Sequence, residues 1–355
     1  MNFKISTLIL LFLLFRMVGS QSIELKDPNL IQYYQHIHQA EMAIVDNDLE
    51  KAHEHYEKAF GFFDEPHAKD LYNDMMVLIH SKKTDLAHEK YQRLNCMDYR
   101  FDKDFHNKHF GNQYNSRKTN CNFKIDLEYR MKLDSLHFLD QYYRLLSDGD
   151  YDKFAENIEK YDSIVSNELY KLFIKKGFPN EYNIGLSRSS TDFFNGFYII
   201  IVHQLARNSL FPQQVDFSNE INNALNQGKL SPEFAGHLSD LVKGTENFNP
   251  IHFDIKEFAF EEEDFECCYV HEWFVPEKRG EKGNQFVEQI NENRSKIGMS
   301  SIDDLLKKRL YNLRNTDYVF PYSGVVGSQS NDKKYIEFMK KHLIKINETN
   351  HQCLE

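Results

Sequence analysis

Apolar positions along most of this chain recur at helical spacing. From Leu30 to about Asp46 the repeating set is Ile37, Ala40, Ala43 and Ile44. The turn Asp46-Asn47-Asp48 follows, and a second helix carries Leu49, Ala52, Tyr56, Ala59 and Phe60. A related pair comes next: Leu71, Met75 and Leu78 line one helix, Lys82-Lys83-Thr84 marks a turn, and Ala87, Tyr91 and Leu94 line the partner. Ala87 lies 35 residues after Ala52, and Tyr91 the same distance after Tyr56. A period of this size indicates stacked helical units.

The pattern lapses over 98–124, where Asn, Asp, Lys and His crowd out any apolar period, so a linker is expected there. A helix resumes near Ile125 with the stripe Leu133, Leu136, Leu139, Tyr143 and Leu146. After the turn Ser147-Asp148-Gly149-Asp150 another helix runs to Lys175-Lys176-Gly177, whose basic residues and glycine are stop signals. Phe193 to Leu205 is apolar nearly all round and should form a central, buried helix. Gly228 and Ser231-Pro232 separate two shorter helices.

Near Ile251 the period changes to two. Ile251, Phe253 and Ile255 alternate with polar residues, Phe258 and Phe260 alternate in the opposite phase, and Cys267 to Val275 is strand-like. Helices are expected again at about Gln285 to Arg294, from Ser300 with Asp303 completing a capping box, and from Lys333 to Ile346. The pattern therefore predicts a mainly α chain. It comprises antiparallel helical hairpins over 21–97, a linker over 98–124, a helical domain over 125–250, and a small β hairpin or sheet with C-terminal helices over 251–355.

The first twenty residues read differently. Lys4 precedes the eight apolar residues Leu8 to Phe15, and Val18-Gly19-Ser20 is a small-residue exit. Eight residues cannot span a bilayer, which needs about 20, but they suit the core of a signal peptide. Residues 1–20 are thus expected to direct export to a periplasm or exterior, with no membrane association after their removal. A net charge of −11 and the lack of a basic cluster exclude a nucleic-acid partner. Of the five cysteines, Cys96 and Cys121 bracket the polar linker and form the candidate disulfide. Cys267 and Cys268 are expected to be reduced, half-buried strand residues.

The stretch Asp48-Leu49-Glu50-Lys51-Ala52 with Tyr56 and Ala59 resembles the second half of the tetratricopeptide repeat motif. Ala40 and Ala43 occupy positions where that family has small or aromatic residues, while His36 replaces its usual tryptophan. The resemblance covers about 30–97 and implies a concave surface that engages a protein or peptide. A second resemblance, over about 132–308, is to an uncharacterised bacterial family of unknown function. Its landmarks here are Asp140-Gln141-x-x-Arg144, Gly177-Phe178-Pro179 with Gly185, His203-Gln204, Gly228-x-Leu230-x-Pro232, Ala235, Leu238-Ser239-Asp240, and Arg294 with Gly298-Met299. Leu241 stands where that family has arginine, and Gly244-Thr245-Glu246 only partly matches its later signature.

Tempting chemistry thins on inspection. Asp148-Gly149-Asp150-Tyr151-Asp152 with Glu159 mimics a calcium loop, but Lys153 occupies the position where the sharp turn needs glycine. Seven histidines fall between His36 and His88, yet His36/His38 and His53/His55 are two apart and lie on different helix faces, so no metal is expected. Glu261-Glu262-Glu263-Asp264 reads as a solvated acidic corner. No phosphate-cradling loop, nucleophile elbow or zinc-protease motif occurs, and no cofactor is implied. Cys268 and His271 are an odd three residues apart, which in a strand sends them to opposite faces.

One polar set remains. Asp140 and Arg144 share a helix face, His203 interrupts the most apolar helix and needs a partner if buried, and Asp240 ends a helix able to pack against it. The sequence thus favours a non-enzymatic interaction protein, with an enzyme or small-ligand binder built on Asp140, Arg144, His203 and Asp240 as the alternative. N-terminal sequencing of the exported protein should find cleavage after Ser20; a mature chain starting at Met1 would end the export reading.

Overall fold

A computed structural model describes residues 23–114, 121–186, 193, 195–208, 215–261, 265–321 and 326–346. The expected leader 1–20, Glu262 to Asp264 of the acidic corner, and Cys353 lie outside these. The fold is mainly helical with a small four-stranded sheet.

Two helical hairpins come first: α1 (Pro28–Val45) with α2 (Leu49–Phe62), then α3 (Ala68–His80) with α4 (Thr84–Cys96). Asp27 caps α1 by accepting the amides of Asn29 and Leu30, and Asp48 caps α2 through Lys51. Ala40, Ala52, Ala59 and Ala87 are all fully buried where paired helices meet, and Tyr56 is buried beside them. Small residues permit the close approach and the aromatic ring fills the space it leaves.

The expected linker contains a short helix α5 (Phe105–His109), because Tyr91, Phe101, Phe105 and Phe110 form an aromatic cluster that the helical period did not reveal. Cys96 and Cys121 are disulfide-bonded, with Cα atoms 5.6 Å apart. Beyond it, α6 (Leu127–Ser147) and α7 (Ala155–Lys176) pair through a corner where Asp148 is left-handed, which is the geometry of a helix stop and not of a calcium loop. A single turn α8 (Glu181–Ile184) leads to α9 (Phe197–Asn208), which packs against α6, α7 and α11 (Pro232–Lys243). Helix α10 (Ser218–Asn226) precedes α11, and Gly228 between them has φ +67° and would drive a Cβ into the Phe63 ring. One apolar cluster runs from Ile23 through the hairpins and these helices to Phe320.

The remaining chain builds a second core. Strands β1 (Lys256–Phe260) and β2 (Glu266–Val270) are antiparallel. Helices α12 (Glu281–Lys296) and α13 (Ile302–Asn312) follow, then β3 (Val326–Ser330), α14 (Lys333–Lys341) and β4 (Ile344–Lys345). The sheet order is β3-β1-β2-β4, with β3 parallel to β1. Several expectations change here. Ile251–Phe253 is a 3-10 turn rather than strand, and β2 ends at Val270, where a 3-10 turn over Glu272–Phe274 replaces the strand expected as far as Val275. The last helix stops at Lys341 because Ile344 and Lys345 pair with β2. The N-cap sits one residue later, at Ser301, whose extended backbone suits a cap; its hydroxyl accepts the Asp304 amide and donates to the Asp304 carboxylate, so the reciprocal bond of a capping box is not made. Cys267 and Cys268 are joined to each other as a disulfide, not reduced, with their Cα atoms 3.1 Å apart across a cis peptide bond.

A buried charge network ties the two ends of the chain together. Glu41 on α1 and Lys308 on α13 have side chains 0% and 1% exposed, with Nζ and Oε2 2.6 Å apart. Lys69 holds the other Glu41 oxygen at 2.6 Å and also pairs with Asp70, which accepts the Tyr33 hydroxyl. Burial alone would raise the Glu41 carboxyl, but Lys308 and Lys69 hold it well below the usual range. Lys308→Met should cost about 3–5 kcal/mol, because it strands a buried carboxylate. Lys308→Met with Glu41→Leu should recover most of that loss in chemical denaturation. Equal stability of single and double variants would contradict the buried pair.

Candidate functional site

Helix α9 carries His203 to α6. Its Nδ1 lies 2.9 Å from Asp140 Oδ2 and 3.1 Å from Oδ1, and Asp140 is buried. Gln141 donates to the same carboxylate at 2.7 Å. Burial pushes the Asp140 carboxyl up, but the His203 hydrogen bond, then the charges of His203 and Arg144, leave it below its ordinary value.

Arg144 does border this cluster, but its main partner is not Asp140. The guanidinium forms a two-pronged bond to Asp162 on α7, both contacts 2.8 Å, and reaches Asp140 Oδ1 only at 3.6 Å. Sequence reasoning missed Asp162. The signal was present: Asp162, Val165, Leu169 and Phe173 share one buried stripe of α7, and a carboxylate in such a stripe demands a cation. Arg207 adds a weaker contact to Asp162 at 3.5 Å.

Asp240 belongs elsewhere. Its carboxylate accepts from Thr245 Oγ1 and from the backbone amides of Asn247, Phe248 and Asn249, all within 3.1 Å. Buried Arg294 fastens the same loop by donating to the carbonyls of Phe248 and Ser300. Asp240 and Arg294 therefore hold one loop, and Asp140, Arg144 and His203 tie α6, α7 and α9.

Two groups among the described residues have the ligand types a metal needs. In Asp140, Asp162 and His203, the two carboxylates already face Arg144 and Arg207. In His53, Glu57 and Asp74, Lys90 sits 2.7 Å from Glu57 and 3.2 Å from Asp74. In each group a side-chain cation already pairs with the carboxylates. Other histidines of the first hairpins pack: His36 stacks on Phe62, and His38 bonds the Gly298 carbonyl at 2.6 Å.

A cavity of about 430 Å³ opens where the hairpins meet α8, α9 and α11. Phe193, Tyr198, Ile199, Val202, Leu230 and Phe234 give it an apolar lining, while His67, Lys69, Glu181, Lys229, Glu233 and His237 supply charge of both signs. None of Asp140, Arg144, His203 and Asp240 lines it. His67 is held by the Tyr34 hydroxyl at 2.9 Å and by Glu181 at 3.7 Å. Among the described residues, half-buried Lys229 makes no ion pair.

Burial alone would lower His67 and raise Glu181, but the attraction between the imidazole and the carboxylate 3.7 Å away reverses both, so His67 titrates above 6.5 and Glu181 below 4.5. A raised histidine stabilises the fold fully below 6.5 and loses that contribution as pH rises through its folded value. A lowered carboxylate contributes above 4.5 and loses it as pH falls through its own. The pair should therefore contribute most between pH 4.5 and 6.5. In urea melts across pH, His67→Gln should remove the decline above 6.5 that wild type shows; an unchanged profile would refute the pairing.

The chain matches no family model, no curated protein and no solved structure. The two resemblances rest on the residues that carry them.

Proposed function

We propose that this chain is an exported, non-catalytic binding protein whose helical hairpins and α9–α11 region together hold a protein or peptide segment. The junction cavity carries this reading. An apolar, partly aromatic lining suits an anchoring side chain, and rim charges of both signs suit the polar groups that flank one. Its volume lies in the range of small-ligand and side-chain sites. The likeness of 30–97 to tetratricopeptide repeats points the same way, as an analogy of fold.

One observation favours the catalytic alternative. Asp140 engages His203 through Nδ1, and among the described residues Nε2 has no partner, which is the arrangement of a carboxylate-oriented general base. The cavity and this dyad separate by substitution. Peptides selected from a displayed random library on the full chain should lose binding at least tenfold to Val202→Trp, which fills the cavity, and bind His203→Gln normally. His203→Gln should instead melt lower, as a latch variant does. No enriched peptide, or equal binding by Val202→Trp, would sink the proposal; a stable His203→Gln with altered ligand binding would favour the alternative.

A further inference from the structure

The second core has its own cavity, of about 590 Å³, between the end of β2 and the end of α14. Four separate segments bring base to it. His252 comes from the turn before β1, Lys256 from β1 itself, His271 from just beyond β2, and Lys341 with His342 from the end of α14. The only acid in its wall is Glu272, which is exposed. On a chain of net charge −11 this concentration of basic groups, two lysines and three histidines, runs against the average.

We propose that this cavity is a second binding site, for a phosphate monoester bearing an apolar group.

Unmet charge is the first argument. Lys69, Lys90, Lys308, Lys340 and Lys345 all have carboxylate partners, whereas among the described residues Lys256 and Lys341 have none. The buried Nδ1 of His252 lacks a hydrogen-bond partner, its nearest acid being Glu246 at 3.8 Å. His271 Nδ1 accepts the Trp273 amide at 3.2 Å, which assigns the ring proton to Nε2 and makes that nitrogen a donor. His342 Nδ1 donates to the Phe338 carbonyl, leaving its Nε2 to take a proton from an acidic ligand or solvent. Burial, then the nearby His252 and Lys256, hold the His271 imidazole below its ordinary value, with Glu272 opposing them. A bound anion relieves that crowding.

The form of the anion follows from the donors. A phosphate monoester brings up to two charges at neutral pH and three strong acceptor oxygens, which match two separated ammonium groups and the imidazole donors between them; a carboxylate brings one charge and two oxygens. An extended nucleic-acid backbone needs a basic stripe, and here the base is confined to one concavity. The apolar group has a surface to cover: Ile251, 54% exposed, with Met339, Leu343 and Ile344.

The chain supplies its own reporter. Trp273 is its single tryptophan, and its ring centre lies 5.4 Å from that of His252 and 5.2 Å from that of His271. Hexyl phosphate, inorganic phosphate and hexanoate should each be titrated into the full chain, followed by Trp273 fluorescence and, independently, by calorimetry. Hexyl phosphate should give saturable binding about tenfold or more tighter than either other probe, weakening with added salt. Lys256→Gln and Lys341→Gln should each weaken it about tenfold. If Lys256→Gln fails to fold, exposed Lys341→Gln decides. Hexanoate binding as tightly as hexyl phosphate, no heat and no fluorescence change with hexyl phosphate, or undiminished binding by folded Lys341→Gln would each overturn the proposal.

Discussion

The contact between Glu41 and Lys308 constrains everything else in this fold. Neither charge reaches water, so each is tolerable only while the other is in place. Their pairing requires α13 to lie across α1, and it fixes the register of that crossing to within a hydrogen bond. From Glu41 the network continues through Lys69 and Asp70 on α3 to Tyr33, and the Tyr33 hydroxyl accepts the amide of His67, whose ring faces Glu181 on α8. Asn73 reinforces it by exchanging two hydrogen bonds with the backbone of Val319, both 2.8 Å. The hairpins are thus held by directional polar bonds as well as by apolar area, and the junction cavity inherits its shape from that fixed geometry.

Local chemistry made the helices legible. Aspartate caps, buried alanines and the basic-glycine stop at Lys175 to Gly177 act within a few residues, so the sequence displays them directly. The hydrogen bond between His203 and Asp140 was also readable, because a polar residue in an apolar helix must find a partner. What stayed hidden depends on distant chain. Strand β3 is Val-Gly-Ser-Gln-Ser, with no alternation to announce it; its pairing comes from β1 alongside. The last helix was overextended because Ile344 fits a helical stripe as well as a strand, and only β2 decides between them. Arg144 was assigned to its neighbour along the helix, when Asp162 across the hairpin offered both oxygens.

The buried polar residues form two fastenings: Asp140, Arg144 and His203 join α6, α7 and α9, and Asp240 with Arg294 secures the loop after α11 to α12. Residues of this kind are fixed by the demand that buried polar groups be satisfied. The two concave surfaces, by contrast, are lined by side chains outside these two fastenings. One lies on the large core and the other on the small one, so ligand events at either leave the other's walls chemically intact.

Timing is a consequence of the same buried pair. Glu41 and Lys308 stand 267 residues apart, so a ribosome working at about 5–20 residues per second delivers the lysine roughly 13–50 seconds after the glutamate. Through that interval only Lys69, which follows much sooner in the chain, can answer the Glu41 carboxylate. The crossing of α13 over α1 therefore becomes available only when most of the chain has been made, and the hairpins carry their own polar bonds before the contact that anchors them to the rest.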